Sequence, residues 1–405
     1  MATVAPETPP PFEEHLTSAF QDLRSALERL LVSAGVDPSE PQEAARRLGL
    51  NRNLTWKLAR VINGSDLYEA LQHLPGSEGL DIIQRAASAA GVKDPLVSEV
   101  RSAQKAFDRV VEVHTGDRAT LDLILDNMGS SAERLEESRR LAFRGNSGVW
   151  GAQARVRVTS CIVAPSPDRP DMVDSVMIAG VVDFRRLRPN VRWPLFRPRV
   201  YTGTGETRVS PAEAIDPAFQ GAAGPMFLGG FCRPFPPPVL AVPDGDSVVY
   251  ELAEAPVGNT GAVTCYLGSL VRCTGERYAT PDDPVADLSA QVSMPAEHLL
   301  FDLLLHRDLQ DWGEPETFVI GQLLGSEPRV SPYRIPLGQR TELIAGQPPP
   351  LRCPQVPEYE EVMRFTLDRL GWSAREFRVL RLLVKYPPIH SSAVMRFRLP
   401  PPPRK

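Results

Sequence analysis

In the first third of the chain the apolar positions recur at helical spacing. Leu16, Phe20, Leu23, Leu27, Leu30 and Leu31 fall on one helical face between Phe12 and Val36, and Gly35 with Asp37-Pro38 closes the pattern. Shorter amphipathic stretches follow at 41–48, 52–62, 66–74 and 80–90, the later ones separated by Pro75-Gly76 and Gly91. Residues 95–114, 120–128 and 132–144 continue the pattern, with Gly116 and Gly129 as punctuation. Near Gly145 the period changes. Ala154-Arg155-Val156-Arg157-Val158 alternates strictly, and 152–164, 173–184, 247–252, 263–273 and 318–324 read as strands between Pro/Gly loops at 221–230 and 234–238. After a Pro-rich break at 347–357, residues 358–370 and 374–385 return to helical spacing.

This pattern predicts an α+β, multidomain protein. A tail at 1–11 precedes an all-helical region at 12–145, then a mostly antiparallel β region at 146–346, built as sheet, sandwich or barrel, and a short helical C-terminal segment at 355–395. Length agrees, since 405 residues exceed one ordinary core at roughly 100–200 residues per domain. The 41 prolines favour loops and edge strands over long helices.

Charge narrows the possible partners. A net charge of −5 argues against nucleic acid coating the whole chain but leaves room for a local basic face. The five cysteines (Cys161, Cys232, Cys265, Cys273, Cys353) form no C-x-x-C pair, so neither a structural zinc nor any other cofactor is implied. The first residues lack a basic and apolar leader, and no run of about 18 apolar residues occurs, so a reduced, cytoplasmic protein without a membrane span is expected.

The most informative segment is PQEAARRLGLNRNLTWKLARVI at 41–62. A helix-turn-helix needs a small residue where its two helices cross, supplied by Ala45 beside Ala44. It needs a turn residue that tolerates left-handed angles, supplied by Gly49 between Leu48 and Leu50. Leu54, Leu58 and Val61 or Ile62 then face inward, and Asn51, Arg52, Asn53, Thr55 and Lys57 face out. Ala45, Gly49, Leu50 and Leu58 stand at the small, glycine and apolar positions of the pattern, and the segment resembles the helix-turn-helix of bacterial transcriptional regulators. It departs from that family in one place. An aliphatic residue usually stands six after the glycine, where this chain has Thr55, with Leu54 one place early. Two rotations of the second helix are therefore open.

The chemistry of the segment suits double-stranded DNA. Arg46, Arg47, Arg52, Lys57 and Arg60 stand against Glu40 and Glu43, a local charge of +3. Arg and Lys neutralise phosphates, while Asn and Arg read base edges from the start of the second helix. The expected DNA-contacting set is Arg46, Arg47, Asn51, Arg52, Asn53, Thr55, Lys57 and Arg60. A homodimer fits paired half-sites. The alternative is a structural or protein-interaction protein whose helical region holds a protein partner, since short helices joined at a glycine occur in many such bundles.

Elsewhere, Asp183 to Arg199 interleaves Arg185, Arg186, Arg188, Arg192, Arg197 and Arg199 with Phe184, Trp193 and Phe196. Two readings are open: an arginine-rich edge strand paired with acidic neighbours, or an anion-binding site, with Arg185, Arg186, Arg188 and Arg192 as its candidates. His298, Asp302 and His306 bear on metal binding, but residues four apart lie about 13 Å apart on a strand, and the two histidines lie roughly 12 Å apart along a helix axis. The alternation Leu299, Phe301, Leu303, Leu305 predicts instead a half-buried strand with its polar face outward. The arginines of the last segment, Arg381 among them, are expected on a solvated face. No nucleophile elbow or P-loop occurs, Gly203-x-Gly205 is too short for a dinucleotide fingerprint, and His15, His73, His114 and His390 stand alone, so no enzyme is expected.

Overall fold

The computed structural model describes residues 10–128, 132–196, 200–201, 207–208, 212–221, 224–244, 247–322 and 333–403. Residues 1–9 of the expected tail, the Gly203-x-Gly205 turn, Arg197 and Arg199 lie outside them. The chain is α+β and divides into two compact units, 1–131 and 132–405.

The first unit is helical: α1 Phe12–Ser33, α2 Pro41–Leu48, α3 Arg52–Asn63, α4 Leu67–Gln72, α5 Ser77–Ala89, α6 Asp94–His114 and α7 Arg118–Met128. The apolar stripe that predicts α1 is the stripe it buries: Leu16, Ala19, Phe20, Leu23, Ala26, Leu27, Leu30 and Leu31. Its largest contact is α6, which contributes Val100, Phe107 and Val110. Each fully buried Leu or Phe contributes about 1.5–3 kcal/mol, so this pair of helices anchors the unit. Inside the core the Gln84 Nε2 donates to the Gln104 Oε1 at 2.8 Å.

The second unit opens with α8 Ala132–Trp150, which leads into β1 Ala152–Pro165, β2 Met172–Arg186, β3 Trp193–Phe196, β4 Val200–Tyr201, β5 Thr207–Arg208 and β6 Ala212–Ala214. Then come β7 Val239–Asp244, β8 Ser247–Leu252, β9 Val263–Glu276, β10 Val285–Val292, β11 Ala296–His306, β12 Glu316–Gly321, β13 Arg334–Ile335 and β14 Glu342–Ile344. The chain continues with α9 Tyr359–Leu370, β15 Phe377–Lys385 and β16 Ser391–Arg398. The main sheet runs β14-β15-β11-β1-β2-β9-β6. Only its β1–β11 pair is parallel, with Val158 opposite Leu300. A four-stranded sheet, β10-β16-β12-β13, and a three-stranded one, β3-β8-β7, complete the larger pairings among the described residues.

The main sheet is covered on both faces. On one, Val158, Ile162, Ile178, Leu300 and Leu304 pack with Tyr359, Val362, Met363 and Leu367 of α9. On the other, Leu299, Phe301, Leu303 and Leu305 meet Val292, Val319, Met395 and Phe397 of the four-stranded sheet. This layering corrects two expectations. The polar face of β11 is not turned outward: Asp302 is 0% exposed beneath α9. Residues 374–385 are not a helix but a short 3-10 turn capped by Ser373, followed by β15. Phe377, Val379, Leu380, Leu382 and Val384 fit either period, and β11 alongside settles the choice by taking their backbone hydrogen bonds. Among the described residues no helix is long and apolar enough to cross a membrane.

Candidate nucleic-acid interface

Pro41 starts α2, where its missing N–H costs nothing. The helix buries Ala44, Ala45 and Leu48 and ends at Gly49, whose φ of 64° and ψ of 27° are left-handed. The turn closes with the Leu50 N–H donating to the Ala45 carbonyl at 3.0 Å. Asn51 then caps α3, its Oδ1 accepting from the Asn53 N–H at 2.8 Å. The Asn51 oxygen is thus held by the cap, while its amide nitrogen is left free of that bond.

The rotation of α3 follows from which residues are buried. Thr55, Leu58, Val61 and Ile62 point inward, and Leu54 is half-buried. Thr55 is 2% exposed, with its hydroxyl donating to the Arg52 carbonyl at 3.1 Å. It is not an outward residue, because it falls on the same helical face as buried Leu58 and Ile62. From α1, the Arg24 guanidinium donates to the Ile62 carbonyl and ties down the last turn.

The outward stripe is Arg52, Trp56, Arg60 and Asn63, with Asn53 beside it. The sequence reading missed Trp56, which is 44% exposed. The available signal was its phase, since Trp56 falls between buried Thr55 and Leu58 yet shares the face of Arg52 and Arg60. Its indole meets the His73 ring edge-on at 5.2 Å, and the Arg60 guanidinium sits over it at 5.3 Å. Ser39, Pro41, Trp56, Arg60 and Asn63 line a shallow groove of about 290 Å³.

The arginines of the segment are not equivalent. Arg60 reaches Glu69 at a loose 3.9 Å. Arg47 lies across Gly35, where an added Cβ would come within 2.7 Å of its Nη2. Among the described residues, no carboxylate lies within 4 Å of Arg46, Arg52 or Lys57. The first turn of α3 carries no acidic residue, so the positive end of the helix dipole adds to this field.

The second arginine group divides. Arg186 is 0% exposed and donates to the carbonyls of Val191 at 2.9 Å, Gly261 at 3.4 Å and Ala253, so it serves the backbone and is closed to an anion. Arg185 is held by Asn259 at 3.2 Å and Glu297 at 3.6 Å. Arg188 and Arg192 remain at the mouth of a cavity in the second unit.

The histidine–aspartate series on β11 does not converge, and among the described residues no group of three or more His, Cys, Asp or Glu is placed to hold a metal. Asp302 instead accepts a two-pronged bond from Arg381, Nε to Oδ1 at 2.9 Å and Nη2 to Oδ2 at 2.7 Å. It also accepts from the Tyr359 hydroxyl at 2.8 Å, which in turn meets the Ser160 hydroxyl at 2.7 Å. Burial, then the Asp302 charge, holds the Tyr359 phenol well above its ordinary pKa, so it stays protonated and donates. Arg381 is thus interior, not on a solvated face. Burial lowers the pKa of its guanidinium, but the bond and charge of Asp302 outweigh that and keep it charged.

No family model matches the chain, and no curated protein matches it. Among solved structures it is similar to "a putative protease from Parabacteroides distasonis ATCC 8503", at 6% identity and a TM-score of 0.27, over 62% of this chain and 41% of that one. The chain thus spans less than half of that protein, and a likeness this slight carries no weight for fold or activity.

Proposed function

We propose that the first unit binds double-stranded DNA through α3, in a transcriptional-regulator-like protein whose second unit senses a ligand or mediates self-association. The observation that carries this reading is the outward stripe of α3, where Arg52, Asn53 and Arg60 are exposed, together with Arg52, Arg46 at the end of α2 and half-buried Lys57, which have no carboxylate partner among the described residues. Such cations gain most by displacing the counterions of a phosphate backbone. Asn53 and Arg52 stand in the first turn of the helix, where base edges of the major groove are read. Paired half-sites call for a homodimer.

Charge reversal of Arg52 and Lys57 in the full chain, Arg52→Glu with Lys57→Glu, tests the reading by retention on mixed duplex DNA at low salt. Arg52 is exposed and Lys57 half-buried, and neither belongs to the core cluster of the first unit, so the variant keeps its circular dichroism and loses retention. Undiminished retention would overturn the assignment of α3. Trp56 favours a second reading, a protein-docking helix, because an exposed indole beside a shallow groove is a common anchor at protein interfaces. That reading predicts that Trp56→Ala abolishes partner capture while charge reversal leaves it intact.

A further inference from the structure

We infer that the second unit holds a binding site for a small planar aromatic carboxylate, in the cavity between the end of α8 and the segment leading into β3. This inference stands whether or not α3 binds DNA. The cavity measures about 360 Å³, and its lining includes Trp150, Trp193, His390, Arg188, Arg192 and Ser293. That lies within the roughly 300–1,000 Å³ typical of small-molecule pockets. A ring bearing one acidic group fits, and a dinucleotide does not.

Three rings form the walls. Trp150 and Trp193 meet edge-to-face at 5.8 Å and 82°, and the His390 ring stands against Trp150 at 6.1 Å and 71°. Such a corner accepts a flat ligand by stacking on one ring and edge contact with the next. Trp150 is 43% exposed, so a large apolar surface faces solvent where a ligand would cover it. The Trp193 ring is 5% exposed, and its Nε1–H has no acceptor among the described residues.

The rim supplies the charge. The aliphatic stem of Arg188 crosses Gly151, where an added Cβ would come within 2.7 Å of its Cγ, and Gly151 has a φ of +70°. Close approach and left-handed backbone both require glycine here, and the Arg188 side chain that lies across it helps line the cavity. No carboxylate lies within 4 Å of Arg188 among the described residues. Arg192 is held only at 3.5 Å by Glu254, both ends about half exposed. A planar guanidinium takes a carboxylate by two parallel bonds, so a ring acid suits this rim better than a neutral ring.

The test uses the full chain labelled with ¹⁵N at its five tryptophans, giving one indole N–H signal each. Indole-3-carboxylate is titrated in, with indole-3-carboxamide and inorganic phosphate as controls. The expected result is a saturable shift of the Trp150 and Trp193 signals, assigned by Trp150→Phe, with the carboxamide and phosphate at least about tenfold weaker. Arg188→Gln and, separately, Arg192→Gln should weaken the acid by a similar factor while leaving the other three indole signals in place. The proposal is overturned if neither signal moves at millimolar acid, if the carboxamide binds as well as the acid, if phosphate alone binds as tightly, or if both arginine variants bind unchanged.

Discussion

Removing either side of the Asp302–Arg381 pair should destabilise the second unit far more than removing both. Asp302 is 0% exposed and the Arg381 side chain 11%, so neither charge can turn to water. The carboxylate accepts from Nε and Nη2 of Arg381 and from Tyr359, and Arg381 also donates to the Arg352 carbonyl at 2.6 Å. In Asp302→Ala the guanidinium keeps one backbone acceptor and loses its counter-charge. In Arg381→Met the carboxylate keeps one phenol donor. Stripping one partner from a buried pair costs about 3–5 kcal/mol, a large share of a stability of about 5–15 kcal/mol. The double variant Asp302→Leu with Arg381→Met puts apolar side chains beside Leu300, Leu304 and Val379, leaves the Tyr359 hydroxyl its Ser160 partner, and should cost no more than about 2 kcal/mol. The cycle therefore carries a coupling of about 4 kcal/mol or more. Urea denaturation followed by tryptophan emission reports on this unit, which holds four of the five tryptophans. Additive single effects, each below about 1 kcal/mol, would refute the claim that this network is a desolvated, mutually dependent set.

Three further outcomes follow. Thr55→Val should leave stability unchanged or raise it by up to about 1 kcal/mol, since the lost hydroxyl bond is local and the site is apolar, whereas Thr55→Arg should cost about 3 kcal/mol or more in chemical denaturation. Burial pushes the Cys161 and Cys265 thiols up to about 12 and Cys232 up to about 11, so a disulfide reagent at neutral pH should modify half-exposed Cys273 first, and Cys273→Ser should remove the fast phase. Burial lowers the His298 pKa, which favours the neutral ring in the folded state. Its contribution to stability is complete above the unfolded value of about 6.5 and declines as pH falls from there through the lowered folded value. His298→Gln should flatten the dependence of denaturation midpoint on pH in that window, and an unchanged slope would contradict the assignment.

The local features of α2 and α3 were legible in sequence because their causes are local. Gly49 at the turn, Ala45 inside and Asn51 at the cap need only neighbours within a few residues. Thr55 was misread because a threonine can present either its methyl or its hydroxyl, and only packing decides which. Residues 374–385 were misread because their apolar positions fit both periods, and a strand 79 positions away in register, with Asp302 opposite Arg381, decided between them. The same distance hid the role of Arg186. Two of its three acceptor carbonyls stand 67 and 75 residues further along, so from sequence it reads as one more cation in a basic run.

The most direct test of the DNA reading is the salt dependence of binding, measured by fluorescence anisotropy of a labelled mixed-sequence duplex with the full chain between 50 and 200 mM salt. If Arg46, Arg52, Lys57 and Arg60 each neutralise a phosphate, the logarithm of the association constant should fall against the logarithm of salt with a slope of about −3 to −4 per bound protomer. Binding that is absent at the lowest salt, or that holds steady across the series, would contradict the proposal.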